Sequence, residues 1–245
     1  ITAPMPELTV DPGYETIDVS AAVETMARAA AAHPFPPMPL FVLARDTPLG
    51  RDVILVLGIE PSIRWRSYVD ELLTLALDHG ATLLVSLGAL LADVPHSRPI
   101  PVSVTSEDPG LREVHDVERS TYEGPSGIVG VLMDQAHQTE LPGLSVWAAV
   151  PHYAGGPPSP KATLALVGRL EELLGCVIDD GDLTEQARAW ERGVDELAAS
   201  DSEVAEYVEA LEDAQDTADL PEASGDAIAR EFEKYLRRRG GHEAG

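Results

Sequence analysis

The sequence predicts an α/β protein built on a mostly parallel sheet covered on both faces, followed by a helical appendage. Three observations carry this reading. Hydrophobic runs stop abruptly in turns rich in polar residues, glycine and proline: Val53 to Gly58 runs into Ile59-Glu60-Pro61, Thr82 to Gly88 leads to Val94-Pro95-His96-Ser97-Arg98-Pro99, and Leu144 to Val150 runs into Pro151-His152-Tyr153. Amphipathic stretches separate these runs, and near-continuous apolar strands between helices belong to a parallel sheet buried on both sides. Beyond Asp182 the apolar pattern changes to a seven-residue one, which is helical. In parallel sheets ligands and partners meet the protein at the carboxyl ends of the strands, so the turns named above mark the expected working surface.

Taken in order, residues 1–50 form an atypical N-terminal segment. They read as a Pro-rich extended start, an Ala-rich helical stretch from about Val19 to Ala32, a Pro-rich turn from His33 to Pro39, and a strand at Leu40 to Ala44 that joins the sheet. The run from Pro37 to Ala44 loosely resembles a late strand of α/β-hydrolases, yet the chain has no Gly-x-Ser-x-Gly elbow and so no nucleophile of that kind. Residues 51–180 are the α/β core: strand 53–58, helix 63–79, strands 82–88 and 100–105, helix 126–138, strand 144–150 and helix 160–174. The last helix is the best marked. Ser159 stands at the cap, Pro160 at the first helical position, and Leu164, Val167, Leu170 and Leu174 line one face.

Residues 181–245 form the appendage. Leu183, Trp190, Leu197, Val204 and Leu211 fall seven apart, with Ala187, Val194, Asp201 and Val208 as a companion row. Asp201 breaks that row. An unbroken helix would press this carboxylate into an apolar seam at a cost of several kcal/mol, whereas Ser200-x-x-Glu203 offers a capping box worth about 1 kcal/mol at a new helix start. The expectation is therefore two antiparallel helices, 183–199 and 201–215, folded as a hairpin, then a final helix from Ser224 to Arg239.

At 245 residues the chain is long enough for one α/β domain plus this appendage, and its 44% hydrophobic content suits a globular protein. No apolar run approaches the roughly 18 residues of a membrane helix. Asp and Glu number 42 against 17 Lys and Arg, a net charge of -25 that argues against nucleic acid and anionic membranes as partners. Sixteen of the acidic residues lie between Asp179 and Glu222, against two arginines. The single cysteine, Cys176, excludes an internal disulfide, points to a reducing compartment and hence the cytoplasm, and reads as buried or inert because no basic neighbour activates it.

Candidate chemistry gathers at the strand ends. His96 and His152 each follow Val-Pro and could converge as a proton-transfer or metal pair. Metal sites usually need three protein ligands, and the only further candidate is Glu60, so hydrogen bonding in a tight turn is the favoured role and no cofactor is expected. Tyr122-Glu123-Gly124-Pro125-Ser126-Gly127 opens a helix as an anion-binding loop would, but without the ending of a phosphate loop, and a Gly-Pro turn capped by Ser126 explains it as well. Arg64, Arg66 and Arg98 either hold an anion or pair with Glu60, Asp70 and Asp93. Lys161 sits in the first turn of a helix, where a cation is disfavoured, and so hints at an ionic partner. Trp65 and Trp190 are candidate interface anchors, and Trp147 is a core residue. The candidate crevice is thus Glu60, Arg64, His96, Arg98, Glu123, Gly124, His152 and Lys161.

Several of these turns also carry a family resemblance. GIEPSIRWRSY (58–68), SLGALLADVPHSRPIPV (86–102), STYEGPSGIVGVL (120–132), WAAVPHY (147–153) and PPSPKATLALV (157–167) resemble the actinobacterial branch of the proteasome assembly chaperone 2 family. The resemblance implies a three-layer α/β sandwich akin to nucleoside phosphorylases, self-association, and, as in archaeal and eukaryotic members, a protein-binding role beside the proteasome. The family usually opens with a strand and a Gly-Trp-Asn-Asp type turn; no such turn occurs here, so that strand is replaced or the chain truncated. Two readings follow. The first is a non-catalytic, self-associating, assembly-chaperone-like protein that binds another protein. The alternative is a small-molecule hydrolase or phosphorylase-like enzyme using Glu60, His96, Arg98 and His152, which rests on fold analogy. A deep pocket enclosing those four side chains would favour the enzyme, and a flat or filled surface the binder.

Overall fold

In the computed structural model the structure describes residues 40–44, 52–156 and 158–218. The expected helix at 19–32 and the final helix at 224–239 lie outside them. Strands β1 (Leu40–Ala44) and β2 (Val53–Leu57) form an antiparallel pair, with Leu40 opposite Leu57 and Ala44 opposite Val53. A second sheet holds β3 (Leu84–Ala92), β4 (Val102–Thr105) and β5 (Gly143–Pro151) in the order β3-β5-β4. Around them lie α1 (Trp65–Asp78), α2 (Pro109–His115), α3 (Ile128–Gln138), α4 (Pro160–Leu174), α5 (Leu183–Ser200) and α6 (Ser202–Ala218). The class is α/β, as expected.

The expectation of a mostly parallel sheet is corrected: the three-stranded sheet is mixed. β3 and β5 run parallel, from Leu84 opposite Gly143 to Ala92 opposite Pro151, whereas β4 is antiparallel to β5. Connection length explains the difference. Parallel neighbours need a crossover of a dozen or more residues. The path from β3 to β5 includes α2 and α3, but only residues 93–101, without a helix, separate β3 from β4.

β5 is central, and its alternation decides what packs where. Leu144, Val146, Ala148 and Val150 share one face and are buried against Ala162, Leu166 and Leu173 of α4, with Ile100, Val102 and Val104 beside them. On the opposite face Gly143 lies under Met133 of α3, whose methyl would be 2.7 Å from an added Cβ. Further along this face the Trp147 ring covers Gly88, 2.5 Å from where a Cβ would stand, and the indole N–H donates to Ser145 Oγ at 2.9 Å. A separate cluster joins α1 to α3 through Val69, Leu73, Ala136 and Leu141.

The helix ends follow local chemistry. Ser159 Oγ accepts the Ala162 N–H, Pro160 takes the first position of α4, and Gly175 ends it in the left-handed region at φ 63. The short helix α2 was not expected, although Asp108, whose carboxylate accepts the Leu111 N–H at 2.8 Å, and Pro109 after it are ordinary start signals.

α5 and α6 are separate helices, divided at an extended Asp201. The break falls where it was expected, but its cap does not: Asp201 Oδ1 accepts the Glu203 N–H at 2.9 Å, while Ser200 Oγ turns back to donate to Leu197 O at 2.7 Å. The companion row is the buried one. Ala187, Val194 and Val208 are buried with Ala198, whereas Leu197 of the other row stands exposed. Among the described residues no helix is long and apolar enough to cross a membrane.

Candidate functional site

The turn after β3 and the 3-10 turn His152–Ala154 after β5 come together because β3 and β5 end side by side. His96 is the centre of this junction. It is 2% exposed, its backbone N–H donates to the Tyr153 hydroxyl at 2.8 Å, and its Nδ1 lies 2.8 Å from the same oxygen. Nε2 faces Asp195 of α5 at 3.0 Å. A carboxylate at Nε2 assigns the proton there, so Nδ1 accepts the hydroxyl hydrogen of Tyr153, whose oxygen accepts the backbone N–H. The arrangement leaves no free nitrogen on the ring. Burial pushes the Tyr153 phenol up from its ordinary pKa, against the pull of the His96 N–H, so it stays a neutral hydroxyl.

The remaining polar groups of the junction also find partners on α5 and α6. Lys161 donates to the His96 carbonyl and pairs with Glu191 at 3.1 Å. Ser97 donates to Glu212. Arg98 holds Asp216 with two parallel bonds, Nε to Oδ1 at 2.8 Å and Nη2 to Oδ2 at 2.7 Å. Hydrogen bonding to Arg98 holds the Asp216 carboxyl below its ordinary range, and the same bond raises the guanidinium. His152 faces Asp93 at 3.2 Å, and the Tyr207 hydroxyl of α6 donates to that carboxylate at 3.0 Å. Burial first, and the Asp93 bond second, raise the Tyr207 phenol. The rings of His96, Tyr153, His152 and Tyr207 meet edge to face, with centroids 5.3 to 6.1 Å apart.

The structure therefore brings four of the expected residues to one place, His96, Arg98, His152 and Lys161, and ties three of them, His96, Arg98 and Lys161, to the chain's own helices α5 and α6. The ionic partner that Lys161 called for is Glu191. Arg98 pairs with none of Glu60, Asp70 and Asp93. Glu60 belongs elsewhere: its Oε2 accepts the Ile128 N–H at 2.8 Å and so caps α3, the role that Ser126 was expected to fill. Arg64 stands just ahead of α1, exposed, at φ 63. Glu123 and Gly124 are exposed in the loop before α3, where the Tyr122 hydroxyl donates to Pro125 O at 3.2 Å. Cys176 is half-buried rather than buried.

Asp195, Glu191, Glu212, Asp216, Tyr153 and Tyr207 complete the junction and were not singled out from sequence. A signal existed for the acids. Glu191 with Asp195 and Glu212 with Asp216 are like charges four apart, which weaken a lone helix by a few tenths of a kcal/mol per pair. Such pairs call for cations from another element, here Lys161 and Arg98.

Comparison with known proteins agrees with the motifs. The model of the PAC2 family matches residues 15–198. A PAC2 family protein from Streptomyces avermitilis is 51% identical, covering 69% of this chain and 71% of its own, with a TM-score of 0.62. A proteasome-assembly chaperone homologue from Mycobacterium tuberculosis is 35% identical over 80% of this chain and 96% of its own, with a TM-score of 0.61. A protein of unknown function from Corynebacterium glutamicum, 18% identical, shares the fold over 89% of this chain and 96% of its own at a TM-score of 0.64. No curated protein matches. The chain belongs to the PAC2 family.

Proposed function

We propose that this chain is a non-catalytic, self-associating protein that binds another protein in the manner of an assembly chaperone, with the proteasome as the kind of assembly it serves. One observation carries the reading most directly. The turns after β3 and β5, where an α/β enzyme would keep its reactive groups, are partly covered by α5 and α6, and His96, Arg98 and Lys161 each bond a carboxylate of those helices. Family membership supports it, as does the description of the Mycobacterium tuberculosis relative as a proteasome-assembly chaperone homologue. The reading includes a three-layer core at residues 51–180, an appendage at 181–245 whose helices α5 and α6 cover the strand ends, a homo-oligomeric state and a cytoplasmic site of action. It leaves the crevice Glu60, Arg64, His96, Arg98, Glu123, Gly124, His152 and Lys161 as two places, an internal junction and the exposed region at the start of α1 and α3.

The test is assembly of proteasome core particles from their separated subunits with and without an equimolar amount of this protein, followed by native gel and light scattering. Faster or more complete assembly, together with a complex between this protein and an unassembled subunit, is the expected result. No complex and no change in assembly would overturn it. The hydrolase or phosphorylase alternative has no specific observation in its favour, since Glu60 is engaged at α3 while the two imidazoles are engaged with Asp195 and Asp93.

A further inference from the structure

We propose that the turn ahead of α1 is a self-association surface that receives the outer face of α6 from a second copy of this chain. This rests on the self-associating reading above and names its surfaces.

The first surface is built by residues 59–66 and the neighbouring loop before α3. The indole N–H of Trp65 donates to Pro61 O, and Glu60 ties the turn to the Ile128 N–H, so the segment is held in place from both sides. What it presents outward is apolar and cationic. Ile59 is 45% exposed, Ile63 73% and Tyr122 71%, and Arg64 and Arg66 are exposed beside them. Arg64 is held at φ 63, a conformation uncommon for a residue with a side chain. Among the described residues Arg64 and Arg66 meet no carboxylate, whereas Arg98, Arg119, Arg169 and Lys161 each do. Tyr and Arg are among the residue types that dominate interface energies.

The second surface is on α6. At 3.6 residues per turn, Glu203, Glu206, Glu209 and Asp213 fall on one side of the helix, opposite the side that carries Tyr207, Val208 and Glu212. The inner side is anchored: Tyr207 bonds Asp93, Val208 is buried and Glu212 accepts from Ser97. The outer four carboxylates are exposed, and among the described residues none has a cation. Like charges three and four apart weaken the helix that carries them. On the inner side the same kind of strain is relieved by Lys161 and Arg98 of the core. Among the described residues the outer row lacks that relief, and Arg64 and Arg66 lack carboxylates. The two vacancies are complementary in charge, and with a net charge of -25 working against any contact between copies, such pairing selects which surfaces meet. Each copy carries both patch and row, so the contact forms either reciprocally across a two-fold axis or head to tail, the latter generating a ring or an open chain.

The experiment is a charge swap on the full chain, read by light scattering and sedimentation. Arg64→Glu with Arg66→Glu, and separately Glu206→Arg with Glu209→Arg, should each reduce the assembly to the 26.2 kDa monomer with the melting temperature retained. All four changes in one chain should restore the assembly, and high salt should weaken it in the unmodified protein. An assembly that survives both double variants, or that the four-fold variant fails to restore, overturns these surfaces while leaving self-association standing. A monomer in the unmodified protein overturns both.

Discussion

Asp201 interrupts the apolar row of the appendage and caps the helix that follows it. Sequence reasoning located the interruption from the cost of burying a carboxylate, then assigned the cap to Ser200 because Ser-x-x-Glu is the familiar box. The extended backbone at Asp201 decides otherwise, since its own carboxylate reaches the Glu203 N–H. Replacing Asp201 by Ala should therefore cost about 1 kcal/mol in denaturant unfolding, and Ser200→Ala should stay within about 0.5 kcal/mol. Equal losses for the two would return the cap to Ser200. Gly88 makes a second case at this scale. A methyl there would stand 2.5 Å from the Trp147 ring, so Gly88→Ala should destabilise by about 1 to 3 kcal/mol. Combining it with Trp147→Ala should make the Gly88 change nearly neutral; a clash that persisted without the ring would show that something else fills the space.

Elements whose ends carry local signals were legible, and α4 is the clearest: serine cap, proline at the first position and an apolar face mark the same helix in sequence and structure. α2 carried comparable signals in Asp108 and Pro109 and was overlooked because it is one short helix with no buried face. α6 depends on contacts far away in sequence. Arg98 is one of its ties, beside Ser97 and Asp93. Asp216 has a folded pKa below its unfolded value, so the stabilisation is fully present above the ordinary carboxylate range near about 4 and is lost as pH falls through the depressed folded value. Arg98→Ala should accordingly speed hydrogen exchange in α6 at neutral pH, with the difference from the unmodified protein shrinking only in acid. A difference that acid does not diminish at all would mean that Arg98 acts through packing rather than through this pair.

In the whole molecule, His96 is the point where the β3 turn, the β5 turn and α5 are joined, and Lys161 of α4 binds its carbonyl. Replacing it by Ala removes the ring that accepts the Tyr153 hydroxyl hydrogen and bonds Asp195, although the backbone N–H still donates to the Tyr153 oxygen, so a loss of about 1 to 3 kcal/mol in global stability is expected, with Asn or Gln losing less. Loss of partner binding without loss of stability would make His96 a contact residue instead. The sequence by itself determined the α/β class, the starts of most helices, the break at Asp201 and the family, because each depends on periodicity, turn chemistry or motif over a few neighbouring residues, whereas β3 runs on to Ala92 past the expected end at Gly88. Strand direction was half legible, since the short link from β3 to β4 already forbids a parallel crossover. Only the tertiary structure decided that the strand-end turns are a seat for α5 and α6. Glu191, Asp195, Glu212 and Asp216 read alike as acids on a solvated helix, and what separates them from Glu203, Glu206 and Glu209 is which side of a docked helix faces Lys161, His96, Ser97 and Arg98. That depends on how a helix about a hundred residues downstream is folded back, and no local pattern encodes it.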